Sequence, residues 1–309
     1  MTRPFDIVAI GEPLFEFNRP RGESAWREGI GGDTSNAMAA AARCGARCAY
    51  VSALGADLFG AAIRARWPAE GIDASAVKTD ADASTGVYFV THGEGGHEFA
   101  YLRAGSAASR LATADLPRAM LAQTRALHVS GISQAISASA CDAVFAAIDI
   151  VRGAGGLVAY DTNLRLKLWP LARARAVIVA TLPLSDWFLP SLDEAALLSG
   201  ASEANAILDW CHASGAPLVA LKMGADGVWV SSAKVREHIP GHRVDAIDAT
   251  GAGDCFDGAF AARIIAGDDA LAAARYANAA AALATTGYGA VDPLPTHADV
   301  AAFLKGSPK

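Results

Sequence analysis

Short, almost unbroken apolar runs alternate along the chain with longer alanine-rich stretches whose apolar positions recur at helical spacing. FDIVAIG, from Phe5, predicts a first strand. DTSNAMAAAARCG, from Asp33, predicts a helix with Asp33 or Thr34 near its cap and Gly45 at its end. RCAYVSALG, from Arg47, predicts the next strand. The alternation continues through a helix from Ser137 (SASACDAVFAAIDIVRGAG), a strand from Leu157 (LVAYDTN), a helix from Leu171 (LARARAVIVATL) and a strand from Asp186 (DWFLP). A helix from Glu203 (EANAILDWCHASG) and a strand from Pro217 (PLVALKMG) follow. Strands apolar on both faces and separated by helices imply βαβ units and a mostly parallel sheet buried between helical layers. The expected fold is α/β, a three-layer α/β/α sandwich.

Two stretches break the alternation. Residues 13–30 (PLFEFNRPRGESAWREGI) are polar and extended, and residues 85–103 (TGVYFVTHGEGGHEFAYLR) are two β-rich runs about a glycine-rich turn. Together they predict a small sheet outside the main one. The turn GEGG, at 93–96, has no helix behind it to bind an anion, so it reads as a hairpin tip. No repeat, linker or shift in composition divides the chain, so one domain over residues 1–309 carrying this lid is expected.

Composition excludes several classes of function. With 309 residues, 52% hydrophobic and 19% charged, the chain has the material for a sizeable core and not the composition of a disordered protein. The net charge of −6 and the lack of a Lys/Arg block argue against a nucleic-acid partner. No apolar run reaches membrane-spanning length, and the start MTRPFDIVAIGEP lacks a signal-peptide pattern, so a cytoplasmic protein without a membrane partner is expected. Cys44, Cys48, Cys141, Cys211 and Cys255 are odd in number and scattered, which suits free buried thiols better than disulfides. Cys44 and Cys48 find no Cys/His pair to complete a tetrahedral site, and the seven histidines are dispersed. A zinc enzyme is not expected.

DATGAGDCFDGAF, from Asp248, carries the chemistry. After Gly253 the apolar positions Phe256, Phe260 and Ile264 recur at helical spacing, so Gly251, Ala252 and Gly253 sit at a helix start. Unpaired backbone N–H groups there, bare of side chains at the glycines, form an anion hole. Asp254 follows at once. A carboxylate beside an anion hole repels a bound phosphate unless it has another task, and a general base for a hydroxyl attacking a phosphoryl group is such a task. A turn with a helix cap is the plainer alternative for an isolated GAGD.

The wider pattern favours the chemistry. DATGAGDCFDGAF resembles the C-terminal signature of the ribokinase-like (PfkB) family of sugar kinases, and GIGGDTSNAMAAAARCGARCAYVSALGADLFG resembles the N-terminal one. The resemblance spans nearly the whole chain and implies Asp254 as catalytic base, Gly251, Ala252 and Gly253 as the anion hole, and the lid as the cover over the sugar. Within the family, GEPLFEF, GGDTSN, TGVYF, YLRAGSAASRL, HVSGI, DTNLRLKLW and LKMGADGVWV are most similar to kinases of 2-keto-3-deoxygluconate, a sugar acid. That similarity implies Gly32, Asn36, Tyr88, Tyr101, Arg103 and Arg165 as its contacts. Arg103 and Arg165 suit a carboxylate, because the planar guanidinium pairs with it in a fork. Arg165 equally reaches nucleotide phosphates from its position after LVAYDTN, and Asn36 equally stabilises a helix start.

The same resemblance places ATP along 222–228, with Lys222, Gly224 and Gly227, and implies Asn163, Arg165, Ser191, Gly251, Gly253 and Asn278 as further contacts. Lys222 faces either phosphates or solvent. Many members of the family carry asparagine where this chain has Ser191, ahead of Glu194 at a position tied to magnesium and phosphate placement. Mg²⁺ is expected with ATP, its protein ligands unassigned. Glu12 and Glu16, in GEPLFEF, lie just past the first strand, with Glu16 the better match to the family; neither enters the expected site, since a carboxylate beside an acidic substrate is costly.

The expected activity is therefore transfer of the γ-phosphoryl group of ATP to the terminal hydroxyl of 2-keto-3-deoxygluconate. Fructose, another keto-sugar acid or a nucleoside is the alternative acceptor, and a non-catalytic sugar-binding protein is a remote one. A neutral sugar is expected to leave Arg103 and Arg165 without a partner. The lid residues Phe15, Phe17, Tyr88, Phe89 and Phe99 exceed what a small sheet buries alone, so lid-to-lid packing into a homo-oligomer is expected.

Overall fold

The computed structural model describes residues 3–93 and 96–306. Its main sheet has ten strands in nine positions. From one edge the order is Arg236–Ile239, Val228–Ser232, Leu218–Lys222, Trp187–Phe188, Leu157–Asp161, Thr124–Ser130, Phe5–Ile10 and Cys48–Gly55. Ile72–Asp73 and Val77–Asp80 share the ninth position, each parallel to a different part of Cys48–Gly55. All pairs are parallel except those of Val228–Ser232 with its two neighbours. The expected α/β/α sandwich is present.

The apolar strands bury both faces because successive side chains point to opposite sides. Ile7 and Ala9 join one core layer with the helices Asp33–Arg43, Ala252–Ala266 and Ala270–Ala284. Val8 and Ile10 join the other, with the helices Ala138–Gly153, Leu171–Thr181, Leu192–Ser199 and Ala204–Ala213. Alanine and glycine allow the first layer to pack closely. A Cβ at Gly258 would lie 2.0 Å from the Ala37 carbonyl oxygen, so the helices Asp33–Arg43 and Ala252–Ala266 approach backbone to backbone there. That contact brings two helix starts together.

The helix Asp33–Arg43 starts with Asp33 beside its cap, as expected. Gly32 is the capping residue, at φ 101°, and no side chain caps the helix. A Cβ at Gly32 would lie 2.3 Å from the Glu12 carbonyl oxygen, so the chain needs glycine to enter the helix this close to the first strand.

The second sheet has four strands in the order Arg27–Gly31, Leu14–Arg19, Gly86–Gly93 and Gly96–Leu102. It matches the two stretches set apart in the sequence. Gly93 pairs with Gly96, while Glu94 and Gly95 of the expected hairpin tip lie outside the described residues. The lid aromatics divide between its faces. Phe15 and Phe17 pack on Phe59, from the helix Leu58–Arg66, with ring centroids 5.1 and 6.1 Å away, and Phe89 stacks on Phe17 at 5.1 Å. Tyr88 is buried too. Most of the apolar surface that was expected to need a second copy is therefore covered within the chain.

Candidate active site

A cavity of about 1380 Å³ opens between the C-terminal edge of the main sheet and the lid. Every candidate residue drawn from the sequence lines it. The location is the one where open α/β sheets bind ligands, beyond the carboxyl ends of the strands.

Asp254 lies in the first turn of the helix Ala252–Ala266. Its Oδ2 accepts from Asn36 Nδ2 at 2.8 Å, and its Oδ1 accepts from Asn163 Nδ2 at 3.4 Å. Burial pushes this carboxyl up to about 7, with Asp33 and Asp161 adding to the shift and Asn36 and Lys222 opposing it. A base poised near neutrality suits proton abstraction from a sugar hydroxyl. Asn163, expected along the nucleotide, lines the cavity and donates to Asp33 Oδ2 as well, at 3.4 Å; its φ of 33° is a strained backbone for a residue other than glycine.

Gly251 caps the same helix in the left-handed region, at φ 75°. The Ala252 N–H donates to the Ala249 carbonyl at 3.2 Å, so it closes the preceding turn. The amides of Gly253 and Asp254 follow in the first turn, where N–H groups have no intrahelical acceptor. Of the three residues expected to form the anion hole, Ala252 thus has its N–H engaged.

Lys222 lines the cavity with its ammonium tied up by carboxylates. Its Nζ donates to both oxygens of Asp257, at 2.8 and 2.9 Å, and to Asp161 at 3.1 Å. Burial works against its charge, but Asp161 and Asp257 outweigh that and hold it above the ordinary lysine value. A Cβ at Gly253 would stand 3.7 Å from Nζ, so the ammonium lies close to this helix start. Asp257 is one helical turn after Asp254, on the same helix.

Both arginines are already paired. Arg103, partly buried against the Tyr101 ring, forms an ion pair with Glu12, whose carboxylate also accepts from Ser106. Arg165 Nη1 lies 3.2 Å from Glu194 Oε1, which also accepts from the Leu164 N–H at 2.9 Å. The expectation that a neutral sugar would leave these arginines alone is thus wrong: the chain supplies a carboxylate to each. Glu12, set aside in the sequence, lines the cavity, while Glu16 is buried behind Tyr88, whose hydroxyl donates to it. Burial and Asp248 push Glu16 up to about 8.

The cavity wall keeps some polar atoms without partners. Asp33 Oδ1, Asn36 Oδ1 and Arg103 Nε are buried and make no hydrogen bond. Two acceptors and one cationic donor are what a hydroxylated anion would satisfy.

At the other end of the cavity, Asn278 donates to the Pro240 carbonyl at 2.7 Å. A Cβ at Gly227 would come within 2.1 Å of the Ile239 carbonyl oxygen, so this glycine answers a close strand approach as well as lining the cavity. Gly224 stands in open space. Ser191 precedes the helix Leu192–Ser199, and Glu194 is pushed up by burial and by Asp161. Cys255 is buried, as are the other four thiols. Asp33, Asp161 and Asp257 were missed in the sequence; the first lies within GGDTSN and the third within GDCFDG, where each signals only as a neighbour of a stronger motif.

The family model for the pfkB family of carbohydrate kinases matches residues 5–297. The chain belongs to that family and is a carbohydrate kinase, a phosphotransferase with an alcohol acceptor. It is 33% identical to 2-dehydro-3-deoxygluconokinase of Bacillus subtilis over 97% of this chain and 95% of that one. It is 31% identical to a probable fructokinase-4 of Arabidopsis thaliana over 97% of each. Among solved structures, a putative ribokinase II from E. coli in complex with ATP and Mg²⁺ matches with a TM-score of 0.90 and 29% identity, over 97% of this chain and 99% of that one.

Proposed function

We propose that the protein transfers the γ-phosphoryl group of ATP to the terminal hydroxyl of 2-keto-3-deoxygluconate, giving ADP and the 6-phosphate. Asp254 takes the hydroxyl proton as the oxygen–phosphorus bond forms and the bond to the ADP oxygen breaks. The Gly253 and Asp254 amides, with Lys222 close by, stabilise charge on the transferring oxygens. Asn36 and Asn163 hold the base in place. The lid excludes water that would otherwise hydrolyse ATP.

The observation that carries the acceptor is the set of unpartnered buried atoms, Arg103 Nε with Asp33 Oδ1 and Asn36 Oδ1, on the wall facing the base. The similarity to the Bacillus subtilis 2-dehydro-3-deoxygluconokinase supports the same acceptor. Fructose is the second reading, favoured by the Glu12–Arg103 and Arg165–Glu194 pairs, which leave the arginines neutralised without an acid.

ATP with Mg²⁺ fits the remaining wall, as in the E. coli putative ribokinase II structure. Asp161 and Glu194, two carboxylates that line the cavity, are the residues that would hold the ion; burial, with the Asp161 charge, holds Glu194 above the ordinary carboxylate range. When bound, Mg²⁺ neutralises phosphate charge. Among the described residues no helix is long and apolar enough to cross a membrane. Assembly through the lid rests on Trp26, Phe99, Tyr101 and Leu102, which stay exposed, and a monomer in light scattering would count against it.

A coupled ADP-release assay with ATP and Mg²⁺ tests the reading against 2-keto-3-deoxygluconate, its galacto epimer, fructose, ribose and adenosine. Turnover led by the sugar acid supports it. Turnover led by fructose or adenosine overturns the acceptor and keeps the kinase.

A further inference from the structure

Histidines that are dispersed in the sequence meet near the end of the lid hairpin, where His97 also lines the cavity. His92 and His97 are a cross-strand pair on the lid hairpin, with ring centroids 4.9 Å apart and planes at 78°. Their Nδ1 atoms are 3.1 Å apart. Buried Asp248, from the loop that leads into the anion-hole helix, lies beside both: Oδ1 is 3.5 Å from His97 Nδ1, and Oδ2 is 3.6 Å from His92 Nε2. Among the described residues, one ligand atom from each of the three falls within 4.8 Å of the others.

The surrounding hydrogen bonds orient the His92 ring. Asn18 Nδ2 donates to Asp248 Oδ2 at 3.3 Å, which sets the amide so that Asn18 Oδ1 faces His92 Nε2 at 3.0 Å. An amide oxygen only accepts, so Nε2 of His92 carries the proton and its Nδ1 carries a lone pair. That lone pair points toward His97 Nδ1. Asp248 is held by the Thr250 N–H at 2.8 Å and the Gly289 N–H at 3.0 Å. A neutral imidazole oriented by an outer hydrogen bond, next to a second imidazole and a fixed carboxylate, is the arrangement that metal-binding histidines share.

We propose that His92, His97 and Asp248 bind a transition-metal ion, Zn²⁺ by its chemistry, which staples the lid hairpin to the loop entering the anion-hole helix. Two imidazole nitrogens and one carboxylate select Zn²⁺, Co²⁺ or Ni²⁺ over Mg²⁺ or Ca²⁺, whose sites are built from oxygens. Three protein ligands leave a fourth tetrahedral position for water. His97 is partly exposed, which gives the ion a path in. The site is separate from the Asp161 and Glu194 carboxylates assigned to the nucleotide's ion, and it does not depend on which sugar is phosphorylated.

The test uses the full chain, stripped with a chelator and titrated with Zn²⁺ against a chromophoric competitor. One Zn²⁺ per chain is expected, bound at least about tenfold more weakly by His97→Ala and by His92→Ala. His97 is exposed enough that His97→Ala should keep its fold, which a thermal melt checks. Co²⁺ in place of Zn²⁺ should give visible absorption that His97→Ala loses. Zn²⁺ should also slow amide exchange across the strands Gly86–Gly93 and Gly96–Leu102. Equal binding by wild type and both variants, or no binding, overturns the site; binding without slowed exchange overturns the staple.

Discussion

Asn36 Nδ2 donates to Asp254 Oδ2 at 2.8 Å, joining the first turns of two helices whose sequences lie 218 positions apart. The bond favours the charged carboxylate against burial and the charges of Asp33 and Asp161. In Asn36→Ala that support is lost, so the acid limb of the kcat profile should move to higher pH. A change in KM with an unmoved limb would show that Asn36 serves the substrate alone.

Wild-type activity should itself depend on pH through Asp254, whose carboxyl is pushed up to about 7. The base works only when ionised, so kcat should fall about tenfold per unit well below that value. Stability has the opposite sign. A carboxyl raised on folding destabilises the native state once ionised, and the cost grows as pH rises from the unfolded value near 4 through 7. Asp254→Asn should therefore melt at a higher temperature than wild type at pH 8, the gap closing toward pH 4. Calorimetry across this range reads the effect.

Lys222 supports two aspartates, of which Asp257 is fully buried. Lys222→Met should cost about 3–5 kcal/mol in urea unfolding, the range for removing one partner of a buried ion pair. Adding Asp257→Asn should restore much of that stability without restoring turnover, because the ammonium near the anion hole is still missing. Recovery of both together would deny Lys222 a part in catalysis.

Arg103 is where acceptor preference should be written. Loss of one charge-assisted hydrogen bond costs about 1.5–3 kcal/mol, or roughly 10–150-fold in KM. Arg103→Ala should show that loss for the sugar acid and a smaller one for fructose, measured by steady-state kinetics on the same preparation. Equal losses would mean that Arg103 only neutralises Glu12.

The fold was legible where one physical rule acted alone. Val8 and Ile10 against Ile7 and Ala9, buried on opposite faces, declare a central strand within six residues. The neighbouring strand Thr124–Ser130 was not singled out, because Thr124, Arg125, His128 and Ser130 interrupt its apolar run although five of its seven residues are buried in sequence from Ala126. The glycines of GAGD announced a helix start, yet the partners of Lys222 and Arg103 did not show. Those depend on which carboxylates the sheet edge gathers, and Asp161, Asp257 and Glu12 come from three distant segments. That Gly32 has to be glycine was hidden for a similar reason: the requirement comes from the Glu12 carbonyl across the fold, while Asp33 and Thr34 carry the local capping signal.

If Asp254 is the base of this sugar kinase, its replacement by asparagine should stop phosphoryl transfer and little else. With ATP, Mg²⁺ and the best acceptor from the panel, ADP release should fall about 10²–10⁴-fold while calorimetric ATP binding is retained. Turnover within a few-fold of wild type, from a variant that still binds ATP, would contradict the account.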